Sequence, residues 1–293
     1  MTIAYRSVAT SQGTGSSITL SVPSGVSRND VLLFVAVTKA AVTVLEDTPA
    51  FTSYISQTAG GLTYTVAYAR AGSSNPANYG FTLASSVEYC AAVLAFSGGV
   101  GAAPVDVSDV LTGVSIAEGF STTYQSPSDF TTPTEDNALR VAAVMGDSTG
   151  TTALTHSWSG FGTERVDIGT TDRLQLTVAT ETAYATPGAA DADALVTPIC
   201  SSGGYTAYMI VVHLKSGTAP TITTVDPDYG PITGGETITI TGTGFKDALT
   251  EVEINSVACT SVTVVSSTVV TAVTPAGSVG AQTLAVYTDE GSA

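Results

Sequence analysis

Residues 219–245 read APTITTVDPDYGPITGGETITITGTGF, and their turn residues and alternating residues decide the fold of the C-terminal part of the chain. The prolines and the glycine within residues 227–231 predict a bend, because proline fixes φ and glycine accepts φ values that other residues avoid. The Gly-Gly pair at 234–235 predicts a tight turn. Residues 237–241 then alternate β-branched polar and apolar side chains, which is the period of a half-buried strand.

This spacing of P-x-I-x-x-V-x-P-x-x-G-P-x-x-G-G-x-x-I-x-I-x-G-x-G-F resembles the start of an IPT/TIG domain, an immunoglobulin-like β-sandwich. The resemblance continues through residues 252–286 and covers about residues 218–293. It implies a domain that acts as a spacer or a binding module and seldom as a catalyst. The family usually has another strand after the position of Gly291 and Ser292. The sequence stops at this position, so the last sheet edge is expected to be open or paired with another segment.

Composition predicts an all-β protein that does not bind nucleic acid. The chain has nine Lys and Arg against 25 Asp and Glu, a formal net charge of −16, and only 12% charged residues. Richness in Thr and Val without a helical pattern of Glu, Lys and Leu is typical of β-structure. No basic stripe is present to neutralise phosphates, and the negative charge disfavours anionic membranes. We expect neither nucleic acid nor a membrane as a partner.

The three cysteines, Cys90, Cys200 and Cys259, are odd in number and far apart. They therefore predict neither a disulfide framework nor a metal site. Each lies in or beside an apolar, strand-like run, which predicts buried thiols.

The N-terminal residues lack the basic and apolar regions of a secretory signal, and no apolar run reaches transmembrane length. Modules typical of extracellular proteins on a chain without an export signal fit a bacteriophage virion protein. Such a protein is made in the host cytoplasm and reaches the outside when the cell lyses.

Residues 1–217 contain the same order of strand-like segments twice. Residues 137–144 align with residues 30–37, and residues 208–217 align with residues 89–98. The wider separation of the second pair indicates insertions in the second copy. We expect a duplicated, jelly-roll-like β-sandwich region, whose copies either form two sandwiches or share one core.

The predicted domains are a first β-sandwich copy at 1–105, a second copy at 106–217 and the IPT/TIG-like domain at 218–293. The first 217 residues also resemble β-sandwich regions of phage virion proteins, including decoration and minor tail proteins. The residues that carry this resemblance lie at 22–37, 67–83, 91–99 and 160–167. It implies a structural β-protein with little chemistry.

Few residues are available for catalysis. A Ser-His-Asp site could use only His156 or His213 as its base, and no G-x-S-x-G elbow is present. His213 falls in an apolar strand and is expected to be a core or strand-face residue, whereas His156 lies in a polar stretch near Trp158. We therefore expect no enzymatic activity and no cofactor.

Close carboxylate pairs are candidates for calcium ligands, and they occur at Asp106/Asp109, Asp191/Asp193 and Asp226/Asp228. Asp106 and Asp109, between the two copies, are the best of the three. No D-x-D-x-D-G ladder accompanies them, so no metal site is predicted.

A glycan site would need an exposed aromatic side chain beside polar loop residues. Trp158 is the only tryptophan, and Phe161 is nearby. These two residues are the preferred position for a glycan contact, because most tyrosines lie in strand-like runs and are expected to be packed.

We expect a non-enzymatic accessory structural protein of a tailed bacteriophage virion, located on the virion surface. A capsid decoration or head-fibre role is favoured, with residues 1–217 as the anchor and residues 218–293 projecting outward. Expected partners are major capsid or tail proteins and copies of the chain, with a host-surface glycan as a further candidate. The alternatives are a tail fibre or minor tail protein, a carbohydrate-binding adhesin and, as a third class, a hydrolase that uses His156 or an Asp pair.

Overall fold

The computed structural model describes residues 3–44, 50–99, 104–116, 124–125, 138–148, 155–159, 162–170, 174–181, 195–199, 205–246, 250–288 and 290–293. The regular structure of these residues consists of β-strands in antiparallel sheets. The predicted all-β class is therefore confirmed. No helix that could cross a membrane occurs among the described residues.

The first sheet is formed by strands β1 Ala4–Ser21, β2 Val31–Thr38, β3 Val42–Val44, β4 Thr52–Ala59, β5 Leu62–Arg70 and β6 Asn78–Ser97. Their order is β1-β6-β2-β5-β4, and β3 pairs with β6. Strand β2 is buried along its whole length between β5 and β6. Both faces of this central strand are covered, and its continuous run of apolar residues places apolar side chains on each of them.

Strands β1 and β6 are long enough to bend over one face of their own sheet. The register of the pair shifts between Gly15 and Ser17, where the partner on β6 changes from Val87 to Thr82. A shift of this kind bends the strands. Beyond it, their ends help to enclose a second core, in which the rings of Phe34 and Phe81 stack 3.8 Å apart.

The next strands are β7 Val105–Ile116, β8 Tyr124–Gln125, β9 Leu139–Ser148, β10 Thr155–Ser159, β11 Thr163–Gly169, β12 Leu174–Thr180, β13 Leu195–Ile199 and β14 Tyr205–Leu214. Five of them form a sheet in the order β7-β14-β9-β12-β11, and the other three form a small sheet in the order β10-β13-β8. The five-stranded order repeats that of the first sheet, with β14, β9 and β12 in the places of β6, β2 and β5. The predicted duplication is thus seen in the topology.

The two large sheets pack face to face over one hydrophobic core. Buried side chains of β2, β5 and β6 belong to the same cluster as those of β9, β12 and β14. Leu33, Leu94 and Leu176, from both copies, are all fully buried. Strands β1–β14 are called the body below. The core of the described residues is thus shared between the copies, while the boundaries at 105/106 and 217/218 stay predictions.

The remaining strands are β15 Thr221–Asp226, β16 Thr237–Thr243, β17 Glu251–Ile254, β18 Val257–Ala258, β19 Thr260–Ser266, β20 Val269–Val273, β21 Leu284–Thr288 and β22 Gly291–Ser292. They form two sheets, β15-β16-β20-β19 and β18-β17-β21-β22. The core between these sheets is separate from that of the body and includes Ile240, Val252 and Val286. This unit is called the C-terminal sandwich. Strand β22 pairs with Tyr287 and Thr288 of β21, so of the two expected outcomes, an open edge or a paired one, part of this edge is paired with the chain itself.

The prediction of buried thiols is confirmed for Cys90 and Cys259, both of which are buried and free. Burial raises the pKa of Cys90 to about 12. The pKa of Cys259 is also raised, mainly by burial and to a smaller extent by the nearby Glu253 carboxylate. Cys200 lies outside the described residues.

Because the core is shared, truncation of Leu33 to alanine should destabilise both copies together. We expect the Leu33→Ala variant to lose roughly 2–5 kcal/mol of unfolding free energy, as other buried leucines do. Hydrogen exchange measured by mass spectrometry should then accelerate in β14 of the second copy as well as in β2. Val265→Ala, at an exposed position of β19, is the matched control and should leave exchange of the body unchanged. Unchanged protection of β14 in Leu33→Ala would contradict a shared core.

The raised thiol pKa values predict that Cys90 and Cys259 resist alkylation in the native protein. The thiolate is the reactive form, and at about pH 8 a thiol with its pKa raised by burial is almost entirely protonated. Iodoacetamide labelling followed by peptide mapping should find both residues unmodified in the folded chain and modified in guanidinium chloride. Rapid native labelling of Cys90 would show that the core opens readily.

Candidate functional site

Trp158, one of the two predicted glycan contacts, packs its small sheet against a large one. It lies in β10, and its indole Nε1 donates a hydrogen bond of 2.9 Å to the hydroxyl of Thr177 on β12. The Thr177 hydroxyl in turn donates to the Val166 carbonyl at 2.9 Å. The indole N–H therefore has a structural partner. Phe161 lies outside the described residues, and the glycan site at these positions stays a prediction.

The side chains of most of the other predicted site residues lie outside the described part of the structure. Asp106 and Asp109 lie in β7, where the backbone of Asp109 pairs with Val211, and their side chains are outside the described set. The same holds for the side chain of His156 in β10 and for residues 191 and 193. Among the described residues, no group of three or more His, Cys, Asp or Glu side chains could hold a metal ion.

His213 is buried, as the sequence predicted for a residue of the apolar closing strand. It is 1% exposed on β14 and lies opposite Arg140 of β9. The guanidinium of Arg140 is itself buried and forms an ion pair of 2.5 Å with Glu181. The polar residues on this face of the sheet thus lie within the body and away from solvent.

A groove with exposed apolar side chains lies at one end of the C-terminal sandwich. This groove of about 490 Å³ is lined by the turn at 227–232 and the loop at 274–282. Three large apolar side chains around it are unusually exposed: Tyr229 at 82%, Ile232 at 56% and Val279 at 87%. We call this the tip groove. Sequence reasoning missed Tyr229, although its place between Asp228 and Gly230 in a turn already showed that it could not be a strand core residue.

Backbone hydrogen bonds hold the two walls of the tip groove together. The amide of Gly277 donates to the carbonyl of Ile232 at 2.8 Å, and the amide of Gly235 donates to Thr274 at 2.9 Å. Gly234 adopts a φ of 66°, and a Cβ at that position would lie 2.4 Å from the carbonyl carbon of Pro275. The Gly-Gly turn read from the sequence is therefore also a close contact between the walls.

Side-chain amides fix the outer loop of the groove. The amide group of Gln282 donates to the carbonyls of Ser278 at 2.9 Å and Gly280 at 3.1 Å, on either side of Val279. The side-chain nitrogen of Asn255 donates to the side-chain Oε1 of Gln282. These bonds hold the loop in a shape that leaves the Val279 side chain in solvent.

The carboxylates near the tip groove are not neutralised within the described chain. Asp226 and Asp228 are exposed, and the Glu236 carboxylate lies 2.8 Å from where a Cβ of Gly230 would be. None of the described lysines and arginines forms an ion pair with these three residues. This end of the sandwich therefore combines apolar surface with negative charge.

The opposite end of the C-terminal sandwich is attached to the body. Arg28 forms ion pairs with Glu251 and Glu253, and its guanidinium carbon lies 4.1 Å from the centre of the Tyr287 ring. Arg70 and the side chain of Asn29 donate hydrogen bonds to the Thr288 carbonyl. A backbone hydrogen bond adds to these contacts: the amide of Gly217 donates to the carbonyl of Gly98 at 2.7 Å. This set of contacts is called the junction.

The tip groove and the junction lie at opposite ends of the same strands. Strand β21 has Leu284 at the groove and Thr288 at the junction. The short strand β17 likewise runs from Glu251 and Glu253 at the junction to Ile254 at the groove. The junction thus holds the C-terminal sandwich so that the groove is at its far end from the body.

Comparison with known proteins identifies one part of the chain. Residues 220–293 match the family model of the IPT/TIG domain, which confirms the resemblance for the C-terminal sandwich. No curated protein and no solved structure matches the chain. The likeness of residues 1–217 to phage virion proteins stays a prediction.

Reversal of the charge of Arg28 should release the C-terminal sandwich from the body. Arg28→Glu replaces two ion pairs and a cation–π contact with like-charge repulsion, and we expect it to weaken docking by roughly 1–3 kcal/mol. Small-angle X-ray scattering should show a larger radius of gyration, and proteolysis around residues 215–220 should accelerate.

The charge-swapped variant Arg28→Glu with Glu251→Arg and Glu253→Arg is the control and should return both signals towards those of the unmodified chain. A scattering profile that does not change in Arg28→Glu would show that Arg28 does not hold the sandwich.

Proposed function

We propose that this chain is a non-enzymatic accessory structural protein on the surface of a tailed bacteriophage virion, as a capsid decoration or head-fibre protein. An Ig-like IPT/TIG domain fits a protein of extracellular or adhesion type. The observation that carries the proposal is the fixed placement of this domain, which joins the body at one end and carries the tip groove at the other. In this proposal the body binds the particle and the groove is directed outward.

An unprotected sheet edge is consistent with a protein that works within a larger assembly. Strand β19 is an edge strand, and residues 260–266 contain no charged side chain. Val265 on this strand is 64% exposed. Solitary proteins usually protect such edges with charge or proline, so an unprotected edge favours coverage by a neighbour. Capsid or tail proteins and further copies of this chain are the proposed partners.

A tail fibre, a minor tail protein or a carbohydrate-binding adhesin is the alternative. The position of the exposed Tyr229 at the end of the C-terminal sandwich away from the body favours it, because a protein that contacts the host needs a binding surface that points outward. Aromatic side chains with one polar end are common in such contacts. The alternative differs from the favoured proposal in where the body is attached.

The number of copies per particle separates these proposals. Quantitative mass spectrometry of purified virions from the encoding phage, normalised to the major capsid protein, should give a count comparable with that protein for a decoration role. A few copies per particle would instead place the chain on the tail or at one vertex. Absence from the particle would overturn the virion proposal.

A further inference from the structure

We infer that the tip groove is a docking site for a short, positively charged segment of another protein that carries an apolar side chain. The apolar part would lie against Tyr229, Ile232 and Val279, and the cations would lie beside Asp228 and Glu236. This inference goes beyond the proposed virion role, because it concerns the chemistry of the groove wherever the protein is located.

The exposed apolar side chains of the groove are clustered and not scattered singly over the surface. Single exposed apolar side chains are normal on protein surfaces, whereas a group around one concave surface marks an interaction site. Tyr229, Ile232 and Val279 are three of six large apolar residues found exposed among the described residues. All three line the same groove. Covering them would remove apolar surface from water, which favours binding.

The groove is formed before any partner arrives. The bonds from Gly277 to Ile232 and from Gly235 to Thr274 join its walls, and Gln282 holds the outer loop. Little loop ordering would therefore accompany binding, and less of the interaction free energy would be lost to conformational entropy.

Charge complementarity identifies the partner as basic. Residues 218–293 contain one basic residue and eight acidic ones. Asp226, Asp228 and Glu236 lie near the groove without an ion pair to the described lysines and arginines, whereas Glu251 and Glu253 are paired with Arg28 at the junction. The basic residue, Lys246, pairs with Glu290 away from the groove. A second copy of this chain, at a net charge of −16, would be repelled. Lysine or arginine in the partner would instead be attracted to the tip and would raise the rate of association.

A protein segment suits the groove better than a glycan. A sugar is recognised by a flat aromatic face together with several free hydrogen-bonding side chains. Only Tyr229 offers such a face, while Ile232 and Val279 present branched aliphatic groups. The amides of Gln282 and Asn255 are already used in bonds within the domain.

The test uses the fluorescently labelled full-length chain on an array of short synthetic peptides. One set alternates Lys or Arg with Leu, Val, Tyr or Pro. A second set has Glu in place of every basic residue, and a third has Gly and Ser in place of every apolar residue. A glycan array is probed in parallel. The variants are Tyr229→Ser, Asp228→Asn combined with Glu236→Gln, and Val265→Ser as the control, which removes another exposed apolar side chain of the same sandwich outside the groove.

We expect binding to the basic, apolar peptides alone. Tyr229→Ser should weaken it about tenfold, as loss of an aromatic anchor does. The double neutralisation should weaken it about threefold near physiological salt and remove much of its salt dependence. Val265→Ser should have no effect.

Equal binding to the acidic set, equal loss in Val265→Ser, or no binding to any peptide would overturn the inference. Binding to a glycan that is lost in Tyr229→Ser would overturn it in favour of a sugar site. Because Tyr229, Asp228 and Val265 are exposed and Glu236 is only half-buried, thermal unfolding of each variant is expected to match that of the unmodified chain, which verifies that loss of binding is local.

Discussion

The rest of the structure depends on the burial of one apolar core between two sheets that have the same strand order. Central strands β2 and β9 carry apolar residues on both faces, so each needs a cover on each side. On one side the copies cover each other, with Leu33 and Leu176 in the same cluster. On the other side each copy uses its own segments. The first copy bends the ends of β1 and β6 over Phe34, whereas the second has a small separate sheet attached through Trp158.

The buried strands of the body hold the residues that attach the C-terminal sandwich. The turn that contains Arg28 and Asn29 enters β2, and Arg70 ends β5, so the groups of the junction are fixed by the most deeply buried strands of the first sheet. The whole chain has only nine basic residues. Two of them, Arg28 and Arg70, are used at the junction. Because ion pairs and a cation–π contact require a defined geometry, these contacts orient the C-terminal sandwich relative to the body as well as attaching it. The tip groove is held away from the body as a result.

Much of the fold could be predicted from the chain, and little of the candidate site could. Alternation and turn residues predicted the all-β class, the repeat of β2 in β9 and the Ig-like C-terminal sandwich, which the family match confirms. The aromatic side chains were harder to interpret. The sequence favours Trp158 as a glycan contact because it is the only tryptophan, yet its N–H donates to Thr177. Strand patterns say nothing about Tyr229, which lies in a turn and is 82% exposed.

The sequence by itself determined the local structure: where strands alternate, where glycine and proline turn the chain, and which thiols lie in apolar runs. These properties depend on residues close together in the chain and on the intrinsic preferences of each residue. The tertiary structure alone decided that the two copies share a core, that Arg28 meets Glu253 across 225 positions of sequence, and that the 227–232 turn and the 274–282 loop form one groove. Such contacts are set by strand register and by which faces pack together, and the pattern of neighbouring residues does not specify either.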